Sequence, residues 1–415
     1  MKIDPADQKI VLEYIRAHAF DMLKEGGGVF RYPFIDPGAG YAFNLWDWDS
    51  FWSAKSLLDL CEYFRGDGAI DAMRPKVIEH AKGNILNFLQ LQEEDGFIAM
   101  VTTKEGLFSD YLVKEHRKGN AVNQHKPFLA QGIRNVSAAA GDYEWFDIER
   151  LLRYLDFYLR HQYDERSGLY FWRNDLMIGV DNNPTVFGRP NDCCTDIYLN
   201  AFMYMELCAA ALLLRKRAHP RAAEWEKRSE ALKKAVREQL FYQRDRFFYS
   251  ADLLSETHKS EYFNHGIGVF WKTMPLRIRF WGGFLPAMCE LTDEEEARTL
   301  LESNLDEDFV SAYGIRSLAR SEPMYNTENS SNPSNWLGAV WIVVQYCVFK
   351  GLLRAGLRDR AEDVLARTYR VLARDIRKNG HMSESYVPET GEPMMYGGFL
   401  NWDCLPVSMQ KELDE

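Results

Sequence analysis

Residues 335–378 read NWLGAVWIVVQYCVFKGLLRAGLRDRAEDVLARTYRVLARDIRK, and the two halves of that stretch differ in kind. The first, to about 355, is apolar almost all round and rich in small residues, the pattern of a helix buried on every side. The second, 358–378, carries charges on a broad face and reads as a helix with one side in water. Only a few residues separate them, as in a helix hairpin. Beyond 378 the chain runs through a long aromatic segment before its last apolar stretch.

The same alternation extends outward in both directions. Start and stop signals predict helices near 5–24, 50–64, 73–91, 126–140, 144–163, 194–217, 220–240, 279–290, 292–304, 335–355, 358–378 and 398–411. Those at 73–91, 144–163, 220–240, 292–304 and 358–378 have a charged face. Their partners, such as FWSAKSLLDLCEYF and TDIYLNAFMYMELCAAALLL, do not. Connections from an apolar helix to its charged partner are short, whereas those leading back are long: 24–50, 91–126, 163–194, 240–279, 304–335 and 378–398. If all apolar helices run one way and all charged ones the other, every long loop emerges at one end of a ring. Six hairpins closed in a circle make an all-α fold, a single (α/α)6 barrel over residues 1–415, with helix 5–24 beside helix 398–411. The weakest element is 279–290, which contains Pro286 and two glycines.

Composition narrows the function. The chain has 46% hydrophobic and 14% aromatic residues and a net charge of -11, a balance that argues against nucleic acid and anionic membrane as partners. Neither a leader-like N-terminus nor an apolar run of about 18 residues is evident. Seven cysteines, without CxxC or metal-ligand spacing, fit a reducing cytoplasm. There is no HExxH, no EF-hand loop and no phosphate-binding Gly-Lys-Ser/Thr sequence, so neither metal nor cofactor is expected. The pattern is silent on oligomeric state.

The long loops hold the chemistry. The first ends in Tyr41, Trp46, Asp47, Trp48 and Asp49 before Ser50, where Asp49 or Ser50 would cap the helix. Alternating indoles and carboxylates suit a pyranose, because ring faces stack on C–H surfaces while carboxylates accept from vicinal hydroxyls. The third loop carries Gly179, Val180, Asp181, Asn182, Asn183 and Pro184, a turn that would hold Asp181 either for structure or as an acid. The last, 379–402, carries His381, Glu384, Tyr386, Glu389 in a PETG turn, Tyr396 and Trp402. Gln124 and His125 open the fourth helix. Arg316 either anchors a structural carboxylate or meets an anionic substrate group, and Trp336 is either a sugar platform or core.

The GxDN around Asp181, the ExY of Glu384 and Tyr386, PETG, the closing NW and the WDWDSFW segment resemble family 63 of the glycoside hydrolases. Within it the likeness is to the bacterial mannosylglycerate and glucosylglycerate hydrolases. The resemblance implies an (α/α)6 barrel that hydrolyses a small α-glycoside with inversion, Asp181 protonating the leaving oxygen and Glu384 activating water. Glu389 is the competing base. Lys114, His116, Arg117, Lys118 and Lys126 form a basic cluster that would draw in a glycerate carboxylate. The rival reading is a sugar epimerase or isomerase of similar architecture, with His125, His265 and His381 moving protons.

Overall fold

The computed structural model describes residues 1–254, 272–328 and 334–415. Its helices follow the predicted order: α1 Pro5–His18, α2 Asp47–Tyr63, α3 Gly68–Gln90, α4 Leu107–Arg117, α5 Leu129–Ala140, α6 Ile148–His161, α7 Ile197–Lys216, α8 Ala222–Leu240, α9 Leu285–Met288, α10 Glu294–Asn304, α11 Ile342–Arg354, α12 Arg358–Asn379 and α13 Leu405–Asp414. Of the charged helices, α3, α6 and α10 begin at polar caps, whereas α8 and α12 have no side-chain cap. Asp67 accepts from the Ala69 N–H, Asp147 from Glu149 and Arg150, and Asp293 with Glu296 makes a reciprocal capping box.

The apolar helices touch in sequence: α2 with α5, α5 with α7, α7 with α9, α9 with α11, α11 with α13, and α13 again with α2. The contacts thus close on themselves. Outside them, α3 packs on α2 and α5, α8 on α7, α10 on α9 and α11, and α12 on α11 and α13. One continuous hydrophobic core runs from Val11 on α1 to Leu413 on α13. Helix α7 is long and apolar enough to cross a membrane by length and composition alone, but most of it is buried within the ring.

Several expectations need correction. Helix α1 packs chiefly on α12, and it reaches α13 through the Gln8 amide donating to Gln410 Oε1 at 2.8 Å. The 335–355 helix begins only at Ile342, because residues before it are extended and Val340 pairs with Arg316 and Tyr386. Its N-cap is Trp341, with no side-chain bond. The 279–290 element shrinks to a 3-10 turn, Trp281–Phe284, and the single turn α9. Gly283 lies so close to Phe247 that a β-carbon there would come within 2.3 Å of its ring. The fold is also not purely helical, since the long loops are stitched by strand pairs of two or three residues, among them 44–46 against 101–103. Helix α4 inside the second loop was missed, because its N-cap is Gly106 with no side-chain bond and it buries little.

Candidate active site

Strand 44–46 hands the chain to α2, whose first turn lies where the long loops meet. Neither Asp49 nor Ser50 caps it; the N-cap is Trp46, with no side-chain bond. Asp47 turns inward. Its Oδ1 accepts from its neighbour's N–H at 2.7 Å and faces Lys126 Nζ at 2.7 Å, while Oδ2 accepts from the Lys126 N–H at 2.7 Å. A buried ion pair of this kind would be costly with either partner missing. It fastens the second loop to the first.

In the third loop the turn that carries Asp181 is held on both sides. The Asn183 N–H donates to the Val180 carbonyl at 2.9 Å, and the Asn183 amide donates to buried Asp196 at 2.9 Å. On the other side, Asn182 Oδ1 accepts from the Trp336 N–H at 2.7 Å. Gly179 precedes the turn with φ +86°, and a β-carbon there would sit 3.0 Å from Trp48 Cε2 and 3.2 Å from Lys126 Cε. Gly179→Ala is therefore expected to lose about 1–2 kcal/mol from the left-handed backbone alone, measurable as an earlier urea midpoint, and to disturb the Trp48 face.

The last loop presents Glu384. Val340 and Tyr386 exchange N–H···O bonds of 2.9 and 3.0 Å, and the Glu384 N–H donates to the Tyr396 carbonyl at 3.3 Å. The side chain is buried, and Tyr41 Oη donates to its Oε2 at 3.0 Å. Asp49 lies nearby on α2, with its Oδ1 accepting from Asn401 Nδ2 at 2.5 Å.

Asp181, Glu384 and Asp49 line one cavity of about 420 Å³, with Tyr41, Trp46, Trp48, Gly179, Trp336 and Trp402 on its walls. Burial, followed by the charges of Asp49 and Asp181, holds the Glu384 carboxyl well above its ordinary range. Burial lifts Asp49 to about 7 against the opposing pull of Lys126. Burial and the Glu384 carboxylate push the Tyr41 phenol up, so it stays a donor. Crowded and buried carboxyls of this kind resist being charged together, a tendency that sets the acid and base members of a pair apart.

Four expected ligands do not reach the cavity. Asp47 is committed to Lys126. Gln124 is fully buried and donates to the Tyr154 carbonyl at 3.2 Å. Arg316 binds Glu389 at 3.0 Å and the carbonyls of Glu307 and Val310, which makes it an anchor and removes Glu389 as a base. Tyr386 Oη donates to Asp375 at 3.2 Å and accepts from the Ser383 N–H at 2.8 Å, shaping the loop from behind. Of the basic cluster only Lys126 lines the cavity; Arg117 pairs with Glu93, Lys118 with Glu115 and His116 with Asp95. No histidine among the described residues lines it either. His125 is bonded to the Lys126 carbonyl at 2.7 Å, His381 lies 4.0 Å from Asp375, and His265 lies outside the described residues.

Residues that the sequence pattern does not single out also line the cavity. Trp341, counted as helix core, stacks on Trp336 with centroids 4.0 Å apart and planes 2° from parallel, and both line the cavity. Asp175, Leu176, Met177 and Phe187 add a wall from the third loop.

A segment of 123 residues is 31% identical to mannosylglycerate hydrolase MGH1 of Selaginella moellendorffii, covering 29% of this chain and about a fifth (22%) of that protein. Among solved structures, the GH63 mannosylglycerate hydrolase of Thermus thermophilus in complex with glucose superposes with a TM-score of 0.66 at 17% identity, over 95% of this chain and 99% of that one. The same enzyme with Tris and D-glycerate gives 0.64 at 16% identity, over 97% and 99%. At such identity the likeness concerns the fold, of glycosidase (α/α)-barrel type. The family model for the mannosylglycerate hydrolase MGH1-like glycoside hydrolase domain matches residues 44–402, and the chain belongs to that family of glycoside hydrolases.

Proposed function

We propose that the protein is an inverting α-glycoside hydrolase that cleaves α-mannosylglycerate or α-glucosylglycerate to free sugar and glycerate. Asp181 is the general acid and Glu384 the general base. The observation that carries this reading is that both carboxyls face one indole-walled cavity of disaccharide size, with Glu384 responding to the charge of Asp181. Two carboxyls across a glycosidic bond are what the reaction needs. The sugar lies against Trp48, Trp336 and Trp402, and the carboxyl of Asp49 accepts from its hydroxyls. Asp181 then protonates the leaving oxygen while Glu384, steadied by Tyr41, draws the proton from water on the opposite face. The closed helix contacts support a single (α/α)6 barrel, and seven unpaired cysteines suit a reducing cytoplasm.

Proton NMR of the anomeric signals during hydrolysis tests the proposal. The β-anomer of mannose or glucose is expected in the first minutes, mutarotating later to the equilibrium mixture. Initial release of the α-anomer would mean retention and would overturn the assignment of Glu384 as base.

A further inference from the structure

A second cavity, of about 730 Å³, opens at the far end of the ring and shares no lining residue with the first. It follows α2 from Phe51 and Trp52 down to Asp59 and Glu62, and it is bordered by the C-terminal parts of α11 and α13 at Lys350 and Glu412. Two buried polar atoms of residues that line it, the donor Trp52 Nε1–H and the acceptor Gln131 Oε1, have no hydrogen-bond partner among the described residues, although Trp52 is 1% and Gln131 0% exposed. Groups so dehydrated are normally satisfied, and leaving them bare is expensive.

The charges around the cavity are mostly spoken for. Lys55 pairs with Asp59 at 2.7 Å and with Glu412 at 3.4 Å, Lys350 pairs with Glu412 at 2.7 Å, and Arg65 and Arg74 both face Glu62. Arg354 donates to the carbonyls of Ala287 and Met288. Arg134 is different. Its guanidinium donates only to Asn135 Oδ1, at 3.2 and 3.1 Å, and it makes no ion pair among the described residues. Glu206, whose charge acts on it, accepts instead from the N–H groups of Ala130 and Gln131 at 2.5 and 3.1 Å. Glu290, also on the rim, is exposed.

We propose that this cavity binds a small organic carboxylate bearing a hydroxyl group. The carboxylate takes the planar fork of Arg134, a geometry that suits two parallel N–H···O bonds. The apolar body lies against Phe51, Phe202 and Met205. The hydroxyl donates to Gln131 Oε1 and accepts from Trp52 Nε1–H, satisfying both bare atoms.

The test uses 4-fluoromandelate, a carboxylate with an adjacent hydroxyl and an apolar ring, followed by fluorine NMR on the full chain. Saturable one-site binding is expected, weakened at least tenfold by Arg134→Gln, less by Arg134→Lys, and unchanged by Glu384→Gln. Gln131→Leu, which keeps Arg134, should also weaken binding and stands in if Arg134→Gln does not fold. The proposal is overturned by no saturable binding up to about 10 mM, by binding that Arg134→Gln and Gln131→Leu leave intact, or by displacement of the probe with Glu384→Gln alone.

Discussion

Glu384→Gln should lower kcat by about 10²–10⁴-fold, the usual contribution of a positioned general base, and by the same factor for good and poor leaving groups. The substitution is nearly isosteric. Tyr41 Oη can still donate to the amide oxygen, and the backbone stays pinned by the Tyr396 carbonyl, so the loss falls on the proton acceptor and not on the loop. Steady-state rates with a glycerate glycoside and with an α-glycosyl fluoride provide the measurement. A variant with near-normal turnover on both would mean that another group activates water.

Stability should move the opposite way. The Glu384 carboxyl is raised by burial and by Asp49 and Asp181, so the unfolded chain loses this proton at lower pH than the folded one. A raised carboxyl contributes stability that is fully present below its unfolded pKa, about 4, and is lost as pH rises through the folded value. Asp49, lifted to about 7, follows the same sign. The wild type is thus expected to lose stability between about pH 4 and 7 and beyond, and Glu384→Gln removes part of that loss. Its melting temperature should exceed the wild type's at pH 8 and differ little at pH 4. The trade is a familiar one, since a site arranged for chemistry holds groups that would be more stable apart.

What was readable in the sequence divides along physical lines. The apolar and charged helices were legible because period and burial leave a mark on every turn, as in α7 and α12. The alternation of short and long connections told which end would hold the loops. Asp181, Glu384 and the indoles of the first loop were legible through residue type and motif. Arg316 and Gln124 looked like ligands for the same reason, yet their partners, Glu389 and the Tyr154 carbonyl, come from segments distant in sequence. Asp47 and Asp49 are two residues apart and equivalent by pattern. One is taken by Lys126 and the other by the cavity, a choice made by tertiary packing. Trp341 was misplaced because an apolar run reads alike as helix or strand. Its extended approach is set by Val340 pairing with Tyr386.

Asp181→Asn should separate acid from base by leaving group. With α-mannosylglycerate, whose alkoxide leaves poorly, the loss should again be about 10²–10⁴-fold, because in the proposed mechanism a proton from Asp181 makes departure possible. With an α-glycosyl fluoride no proton on a leaving oxygen is needed, and most of the rate should return. The turn itself should survive, since Asn182 and Asn183 hold it through Trp336 and Asp196. The pH profile gives an independent reading: Asp181→Asn should remove one limb of the kcat/KM profile and leave the other. Equal losses on both substrates with an unchanged profile would instead make Asp181 a binding residue and move the acid elsewhere in the cavity, to Asp49 first, the other carboxyl there whose pKa is lifted into the working range.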